Sequence, residues 1–219
     1  MNRYEFQELF EEIGEKSSEL RKKIVMIIGS GSLGSTVSDM LHREGVPLKI
    51  VDKGRSEIKD LQHQSLYLEE DDNKFKVKQI KKRLEPINTK NKIRTFHEDL
   101  VEDNLFLLDS VDIIIDCSND LETMKMVGNY VKKKTQLINC KYAGSKGTIF
   151  ISNRKHYFKD VVEKIKIGDI NKEGLINSTV HLAAGIIVSQ ALKILVGEKI
   201  TDNFILFDVW KDSVRRISI

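Results

Sequence analysis

The 219-residue sequence predicts an α/β fold in which a doubly wound, mainly parallel sheet carries a C-terminal antiparallel extension. Apolar runs of strand length alternate with segments of helical period, which is the pattern of βαβ units. The first run, residues 24–28, is continuously apolar and mostly β-branched, as in a strand covered on both faces. Two short apolar runs follow a long helix at the end of the chain and indicate a closing hairpin.

The predicted elements follow in a regular order. Residues 2–20 have apolar side chains near helical spacing and predict an opening amphipathic helix. Strands are expected at residues 23–29, 48–52, 93–96, 111–117, 136–140, 147–152, 204–208 and 214–217. Helices are expected at residues 33–44, 74–84, 121–132 and 179–196. Because there is no internal repeat and no proline-rich linker, we expect one domain over residues 1–219, with a helical arm (1–22), a core (23–152) and a closing part (178–219).

Composition restricts the class of protein. Thirty-six lysine and arginine residues face 33 aspartate and glutamate residues, a net charge of +3, which favours neither nucleic acid nor an anionic membrane as a partner. Two cysteines, Cys117 and Cys140, exclude a disulfide framework and a four-thiolate zinc site. The apolar residues 180–196 are interrupted by His181, Gln190 and Lys193, so they predict a buried or interface helix and no membrane span. We expect a soluble, cytoplasmic protein.

A glycine-rich loop follows the first strand and opens the first core helix. It reads Gly29-Ser30-Gly31-Ser32-Leu33-Gly34. Glycines in such a loop permit a tight turn and a close approach of backbone N–H groups to phosphate, and the helix N-terminus adds partial positive charge. Asp52 ends the next strand, where a carboxylate can accept hydrogen bonds from ribose hydroxyls. The combination predicts a Rossmann-like nucleotide-binding core, for either ATP or NAD.

Further segments, in chain order, resemble the E1-like superfamily, the adenylyltransferases related to the enzymes that activate the thiamine and molybdopterin sulfur carriers. Family segments written R-Y-x-R-Q, N-L-x-R-Q, D-C-T-D-N and G-x-x-G are similar to residues 3–7, 60–64, 116–120 and 144–150, and the family's closing hairpin is similar to residues 207–219. Lys76 matches a family lysine about thirteen residues beyond the arginine of N-L-x-R-Q. The resemblance covers nearly the whole chain.

The resemblance implies ATP-dependent adenylylation of a carboxylate, with Mg²⁺ and basic groups around the triphosphate. It implies catalytic roles for Arg3, Lys76, Asn119 and Asp120, with Asp120 as the magnesium ligand. The implied cofactor-binding residues are Gly29, Gly31, Ser32, Leu33, Gly34, Asp52, His63, Gln64, Lys76, Cys117 and Ser118. Structural explanations stay open for several of these: Lys76 as one solvated lysine among several, Gln64 as a surface residue, and Cys117 as a packed core residue.

Three positions depart from the family pattern. The second arginine of R-Y-x-R-Q is Phe6, although Arg3 is retained. The arginine of N-L-x-R-Q is His63, whose charge near neutral pH is conditional, and the asparagine of that segment is Asp60. Asn119 occupies the position of the magnesium-associated aspartate of D-C-T-D-N. Asp120 takes the metal only if this chain is shifted by one residue relative to the family pattern.

The leading hypothesis is a homodimeric adenylyltransferase without an enzyme thioester or structural zinc. Its substrate would be the C-terminus of a ubiquitin-like sulfur carrier or a small-molecule acid. The short chain also resembles the E1-like protein of iron-guanylylpyridinol cofactor biosynthesis, which implies a pyridinol carboxylate. Two alternatives stay open. One is a catalytically weakened E1-like subunit that binds nucleotide or a partner without turnover, and the other is an NAD-dependent oxidoreductase.

Overall fold

The β-strands of the computed structural model form one sheet; the structure describes residues 2–131, 135–152, 168–200 and 203–218. The strands are β1 (Val25–Ile28), β2 (Leu48–Val51), β3 (Ile93–Phe96), β4 (Ile113–Asp116), β5 (Gln136–Ala143), β6 (Lys146–Ser152), β7 (Asn203–Asp208) and β8 (Ser213–Ser218). Their order across the sheet is β3-β2-β1-β4-β5-β6-β7-β8. Strands β1 to β5 pair in parallel, whereas β6, β7 and β8 pair antiparallel. The predicted fold class is confirmed.

Helices cover both faces of this sheet. They are α1 (Glu5–Glu8), α2 (Ser17–Leu20), α3 (Ser32–Arg43), α4 (Lys76–Leu84), α5 (Leu121–Tyr130), α6 (Ile170–Glu173) and α7 (Asn177–Leu195). One face packs its apolar side chains against α3, α4 and α7, and the other against α5 and a 3₁₀ segment, Glu102–Leu108. Two separate apolar cores result, one on each side of the strands, as in a doubly wound sheet.

The long helix α7 is a core element on one side. It packs against α3, β5 and β6, with Val180, Ala184 and Ile187 fully buried. Among the described residues it alone is long and apolar enough to pass a length-and-composition test for a membrane span, and half of its apolar window is buried inside the protein. This packing agrees with the predicted buried or interface helix.

The predicted opening helix over residues 2–20 is wrong. The structure has two four-residue helices there, joined by a 3₁₀ turn at Gly14–Lys16. Gly14 has a positive φ of 32°, which interrupts a continuous helix. Ile13 and Leu20 are buried while Phe6 and Leu9 are exposed, so no single apolar stripe exists to hold a long helix on the sheet.

Several element ends also differ from the predictions. Strand β5 continues to Ala143, three residues beyond the expected end at Cys140, because its hairpin with β6 supplies partners along that whole length. Helix α5 ends at Tyr130, and the expected end at Lys132 lies outside the described residues. The short helix α6 and the 3₁₀ segment were not predicted. The longer β5 and the short helix α6 matter at the carboxyl edge of the sheet, where the carboxyl ends of β1, β2, β4 and β5 meet.

Candidate nucleotide-binding site

The glycine loop lies between β1 and α3, and its shape excludes side chains at two positions. Gly29 has a φ of 83°, in the left-handed region that favours glycine. A Cβ added at Gly34 would lie 1.8 Å from the carbonyl oxygen of Gly29. Gly31 precedes the first helical residue, Ser32, and Leu33 is fully buried in the core. The start of α3 is thus held against the strand end with its first backbone amides at the carboxyl edge, the arrangement that binds phosphate.

Asp52 follows β2 and fixes the neighbouring loops. Its Oδ2 accepts hydrogen bonds from the Ser30 amide at 2.5 Å and from Ser30 Oγ at 3.0 Å. The other oxygen accepts from the Gly54 amide. Tyr67 also holds this loop, because its hydroxyl donates a hydrogen bond to the Ser30 carbonyl oxygen at 2.6 Å. Each carboxylate oxygen can accept more than one hydrogen bond, so Asp52 retains capacity for a ribose hydroxyl.

Lys76 begins helix α4 close to Asp52. Its ammonium lies 2.9 Å from Asp60 Oδ2, and the two side chains are only 13% and 12% exposed. A Cβ added at Gly54 would lie 2.9 Å from Asp52 Oδ1 and 3.6 Å from Lys76 Cδ, so the lysine stem runs beside Asp52. Lys76 is therefore no freely solvated lysine. Asp60, which occupies the position of the asparagine in the family pattern, places a negative charge beside the Lys76 ammonium.

His63 contacts the glycine loop directly. Its Nδ1 lies 2.7 Å from Ser32 Oγ at the first turn of α3. Burial lowers the pKa of His63; the carboxylate of Asp60 opposes this effect, and the Lys76 ammonium adds to it. The imidazole is accordingly neutral near pH 7, and it orients the Ser32 hydroxyl without supplying the fixed charge of an arginine.

Gln64 is 4% exposed and lines the cavity above the loop. In the described part of the chain its Oε1 is a buried acceptor that has no hydrogen-bond partner. Buried polar atoms are normally paired, so this amide is available to a ligand in the cavity. The surface explanation for Gln64 is wrong.

Residues 116–120 form a tight turn between β4 and α5. Asp116 is fully buried, and its Oδ1 accepts from the Ser118 amide at 2.9 Å. Burial raises the pKa of Asp116 to about 6, and the hydrogen bonds from Ser118 partly oppose this. Asn119 has a φ of 59°, and its amide group bonds the Tyr142 N–H at 3.0 Å and the Tyr142 carbonyl oxygen at 3.2 Å. Asn119 thus ties the turn to β5.

Asp120 caps the N-terminus of α5. Its Oδ2 accepts from the amide and the hydroxyl of Thr123, both at 2.8 Å. These hydrogen bonds, led by that from the Thr123 amide, lower the pKa of Asp120. The carboxylate is therefore ionised at neutral pH. No group of three or more potential metal ligands occurs among the described residues, so any metal here would need oxygens from a ligand.

Two cavities open at this edge of the sheet. The large cavity, about 570 Å³, is lined chiefly by the glycine loop, Gln64, residues 117–119, Lys141, Tyr142 and residues 168–171. The small cavity, about 270 Å³, lies on the β2 and β3 side and includes Lys53, residues 98–100, Asp120 and Thr123. Gly29, Asp52 and Ser118 line both. The two cavities therefore meet where Asp52 stands.

The expected site residues do not all line these cavities. Those that do are Gly29, Gly31, Ser32, Asp52, Gln64, Cys117, Ser118, Asn119 and Asp120. His63 and Lys76 lie behind the residues that line the two cavities. Arg3 instead donates to the Ile87 carbonyl oxygen after α4. Sequence reasoning missed Lys141 and Tyr142, because the predicted strand ended at Cys140; a longer β5 would have carried both into the cleft.

The two cysteines are packed core residues. Cys117 is 5% exposed and Cys140 fully buried. Burial raises the pKa of both thiols well above the ordinary value, and the nearby Asp116 carboxylate adds to the effect. Neither side chain is a thiolate at neutral pH, so neither has the character of a nucleophile.

The family follows from a comparison over nearly the whole chain, since residues 4–219 match the model of the ThiF family. The chain belongs to the ThiF family. The resemblance to the E1-like superfamily is thereby confirmed. A Bacillus subtilis relative named sulfur carrier protein ThiS adenylyltransferase is 32% identical over 96% of this chain and 66% of its own length. The adenylyltransferase and sulfurtransferase MOCS3 of Culex quinquefasciatus is 24% identical over 99% of this chain and 52% of its own.

Solved structures agree on the fold of this ThiF-family chain. Escherichia coli MccB with succinimide has a TM-score of 0.81 at 18% identity, covering 100% of this chain and 72% of MccB. MccB solved with ATP has a TM-score of 0.75 at 18% identity, covering 92% of this chain and 64% of MccB. The chain spans only about half to two thirds of the length of the two relatives named above.

Proposed function

We propose that this ThiF-family protein adenylylates a carboxylate with ATP. The observation that carries the proposal is the junction at Asp52, where two cavities meet beside the glycine loop. A nucleoside in the small cavity would contact Asp52 through its ribose and extend its phosphates over the start of α3. The α-phosphate would then face the large cavity, where an acid can enter from the β5 side.

The reaction balances without a covalent enzyme intermediate. A carboxylate oxygen attacks the α-phosphorus, the bond from that phosphorus to the bridging oxygen of pyrophosphate breaks, and the electron pair leaves with pyrophosphate. No proton is taken up, so the chain needs to supply position and positive charge. The start of α3, the Ser32 hydroxyl and Gln64 are placed for the phosphates, with Lys76 behind them. The high thiol pKa values support a mechanism without a thioester.

Mg²⁺ fits the residues present in a limited way. It takes one or two protein carboxylates together with substrate phosphates. Asp120 offers one ionised carboxylate at the rim of the small cavity, whereas the side chain of Asn119 is engaged with Tyr142. Asp120 would therefore hold the ion, which neutralises phosphate charge when bound.

The acid is a ubiquitin-like carrier C-terminus or a small-molecule carboxylate. The name of the Bacillus subtilis relative favours a carrier. The small acid, a pyridinol carboxylate included, remains a second candidate because the described cavity sizes suit one. We further propose that the protein acts as a homodimer in the cytoplasm, without nucleic acid or membrane partners.

Carboxylate-dependent exchange of labelled pyrophosphate into ATP tests the function. We expect exchange only when a carrier with a free C-terminus or an acceptable small acid is present; the amidated carrier is the control. If the protein binds ATP but shows no exchange with any carrier or acid tried, the adenylyltransferase hypothesis is contradicted and the E1-like subunit without turnover is favoured. The pairing of Lys76 with Asp60 is an observation that also favours this alternative. Preferential binding of NAD over ATP would support the oxidoreductase, against which family membership argues.

A further inference from the structure

The large cavity contains a lysine ammonium that no sequence motif predicts. Its described lining includes two carboxylates, Asp52 and Asp169, and one ammonium, that of Lys141. The other lysine near the loop, Lys76, pairs with Asp60 behind the wall. An anionic group that enters the large cavity thus meets Lys141 as the positive side chain among the residues described there.

The surroundings of Lys141 leave its charge available. Its Nζ donates one hydrogen bond, at 2.8 Å, to the carbonyl oxygen of Asn119. Within the described ranges no carboxylate oxygen lies within 4.0 Å of this nitrogen. An ammonium has three N–H groups, so two remain for a ligand. The Lys141 ammonium also lowers the pKa of the Asp116 and Asp120 carboxylates, but its one hydrogen-bond partner is a neutral carbonyl oxygen, so an anionic ligand can still pair with it directly.

The position of the ammonium is fixed by the backbone on both sides. Asn119 accepts the lysine through its main chain and clamps the main chain of Tyr142 through its side chain. Lys141 is the residue next to Tyr142 on β5, so donor and acceptor belong to one hydrogen-bonded unit. A lysine held in this way loses little further freedom when an anion arrives.

We propose that Lys141 binds the carboxylate of the acid that is activated. The inference rests on the proposed adenylylation. Asp52 and the small cavity lie on the β2 and β3 side of the glycine loop, whereas Lys141 lies on the β5 side. With the nucleoside on the Asp52 side, the group that reaches Lys141 is the entering acid. Attack of a carboxylate on an anionic phosphate brings like charges together, and one fixed cation beside them lowers that repulsion.

Binding to two probes tests this assignment without turnover. Adenosine 5′-monophosphate carries the nucleotide alone, and 5′-O-(N-(N-acetylglycyl)sulfamoyl)adenosine adds an acyl group without a free amine at the position of the activated acid. Dissociation constants would be measured by calorimetry for wild type, Lys141→Gln, Lys141→Arg and the exposed control Lys146→Gln. We expect Lys141→Gln to bind the monophosphate within about twofold of wild type and the acyl probe about tenfold more weakly, as for loss of a charged hydrogen bond.

The other variants separate folding from recognition. Lys141→Arg should recover most of the affinity for the acyl probe, and Lys146→Gln should match wild type for both probes. Equal losses for both probes in Lys141→Gln, or no loss for either, would overturn the assignment. If wild type fails to exchange pyrophosphate with any acid but the probe difference persists, the proposed function falls and the acyl contact of Lys141 stands. If wild type exchanges pyrophosphate with an acid but Lys141→Gln binds the acyl probe as tightly as wild type does, the proposed function stands and the acyl contact of Lys141 is excluded.

Discussion

Asp60 determines how Lys76 can meet a phosphate. The two side chains are nearly buried and 2.9 Å apart. Removing one partner of such a pair leaves an uncompensated charge and costs about 3–5 kcal/mol, whereas replacing both partners is often neutral. A phosphate must therefore compete with Asp60 for the lysine, and a loss of activity on mutation has to be separated from a loss of stability.

Lys76→Ala should abolish carboxylate-dependent pyrophosphate exchange and lower the melting temperature, because the phosphates lose a cation and Asp60 loses its partner. The matched control is Asp60→Asn/Lys76→Met, in which no charge is left unpaired. We expect the double variant to melt near the wild-type temperature and still to lack exchange. Recovery of exchange together with stability would show that Lys76 is a structural residue only.

Asp120 combines a helix cap with a proposed magnesium contact, and two substitutions separate these roles. Asp120→Asn keeps an oxygen for the Thr123 amide but removes the charge. We expect it to raise the Mg²⁺ concentration for half-maximal exchange about tenfold with little change in stability. Asp120→Ala should do the same and also lose about 1 kcal/mol of unfolding free energy as the cap disappears. An unchanged Mg²⁺ requirement in both variants would remove Asp120 from the metal site.

At the scale of elements, the parallel neighbours β4 and β5 bury polar side chains next to each other. Asp116 and Asn139 are register partners, and both are almost completely buried. In the described chain, Asp116 Oδ2 and both polar atoms of the Asn139 amide have no hydrogen-bond partner. Such groups are costly when charged and cheaper when neutral, which agrees with the Asp116 pKa of about 6.

This pair predicts a pH-dependent stability. An aspartate whose pKa is raised on folding stabilises the folded state below its ordinary value of 3.8, and that contribution is lost as the pH rises through about 6. The difference corresponds to about 3 kcal/mol at most. Asp116→Asn should therefore raise the unfolding free energy at pH 8 by up to that amount and leave it nearly unchanged at pH 4. Chemical denaturation at both pH values measures this.

The exposed variant Asp103→Asn is the control for that experiment, and it should show the pH dependence of wild type. Equal stabilisation by Asp116→Asn at pH 4 and pH 8 would contradict the argument, because a neutral amide would then be favoured for reasons other than charge.

Element prediction from sequence succeeded where an element is decided by its own residues. The apolar runs of β1 and β4 need only burial on both faces, and the glycine loop needs only Gly29 and Gly34. The opening helix failed because its spacing was helical, but only some of its apolar side chains, such as Ile13 and Leu20, pack on the core while others are exposed. The end of β5 failed because the last three residues are strand only by virtue of β6, a pairing that the sequence around Cys140 does not display.

The residues of the candidate site could be predicted from sequence to about the same extent as the helices and strands. Ser32, within the glycine motif, and Asp52, at the end of the next strand, line the cavity as expected from their places in the sequence. Lys76 and His63 lie one layer behind the cavity, since their positions depend on contacts with Asp60 and Ser32 that only folding brings together. Lys141 belongs to no motif, and its relevance arises from the clamp that Asn119 makes on β5.

At the scale of the whole molecule, the N-terminal arm exposes three large apolar side chains to water. Phe6, Leu9 and Phe10 are 88%, 75% and 56% exposed. We predict that these side chains contribute to an association surface. The proposed homodimer would cover it with a second copy of the chain.

Sedimentation at micromolar concentration should therefore give twice the chain mass of 25.1 kDa. Leu9→Asp/Phe10→Ser should shift the protein to the monomer, because a charge would have to be buried in the contact. Phe106→Ser, at another exposed aromatic residue, should leave the dimer intact. A wild-type monomer, or a double variant that stays dimeric, would contradict the role of the arm.

The change from parallel to antiparallel pairing has a consequence for how such a protein can be altered. Because β5 runs on past the ends of β1 and β4, the hairpin of β5 and β6 has its own pairing and carries Lys141 and Tyr142 to one side of the large cavity, whereas the nucleotide loop depends on β1 and α3. The proposed acid contact and the proposed nucleotide contact would thus belong to different structural units. Exchanging residues 141–148 between family members should transplant the choice of acid while the response to ATP stays with the host.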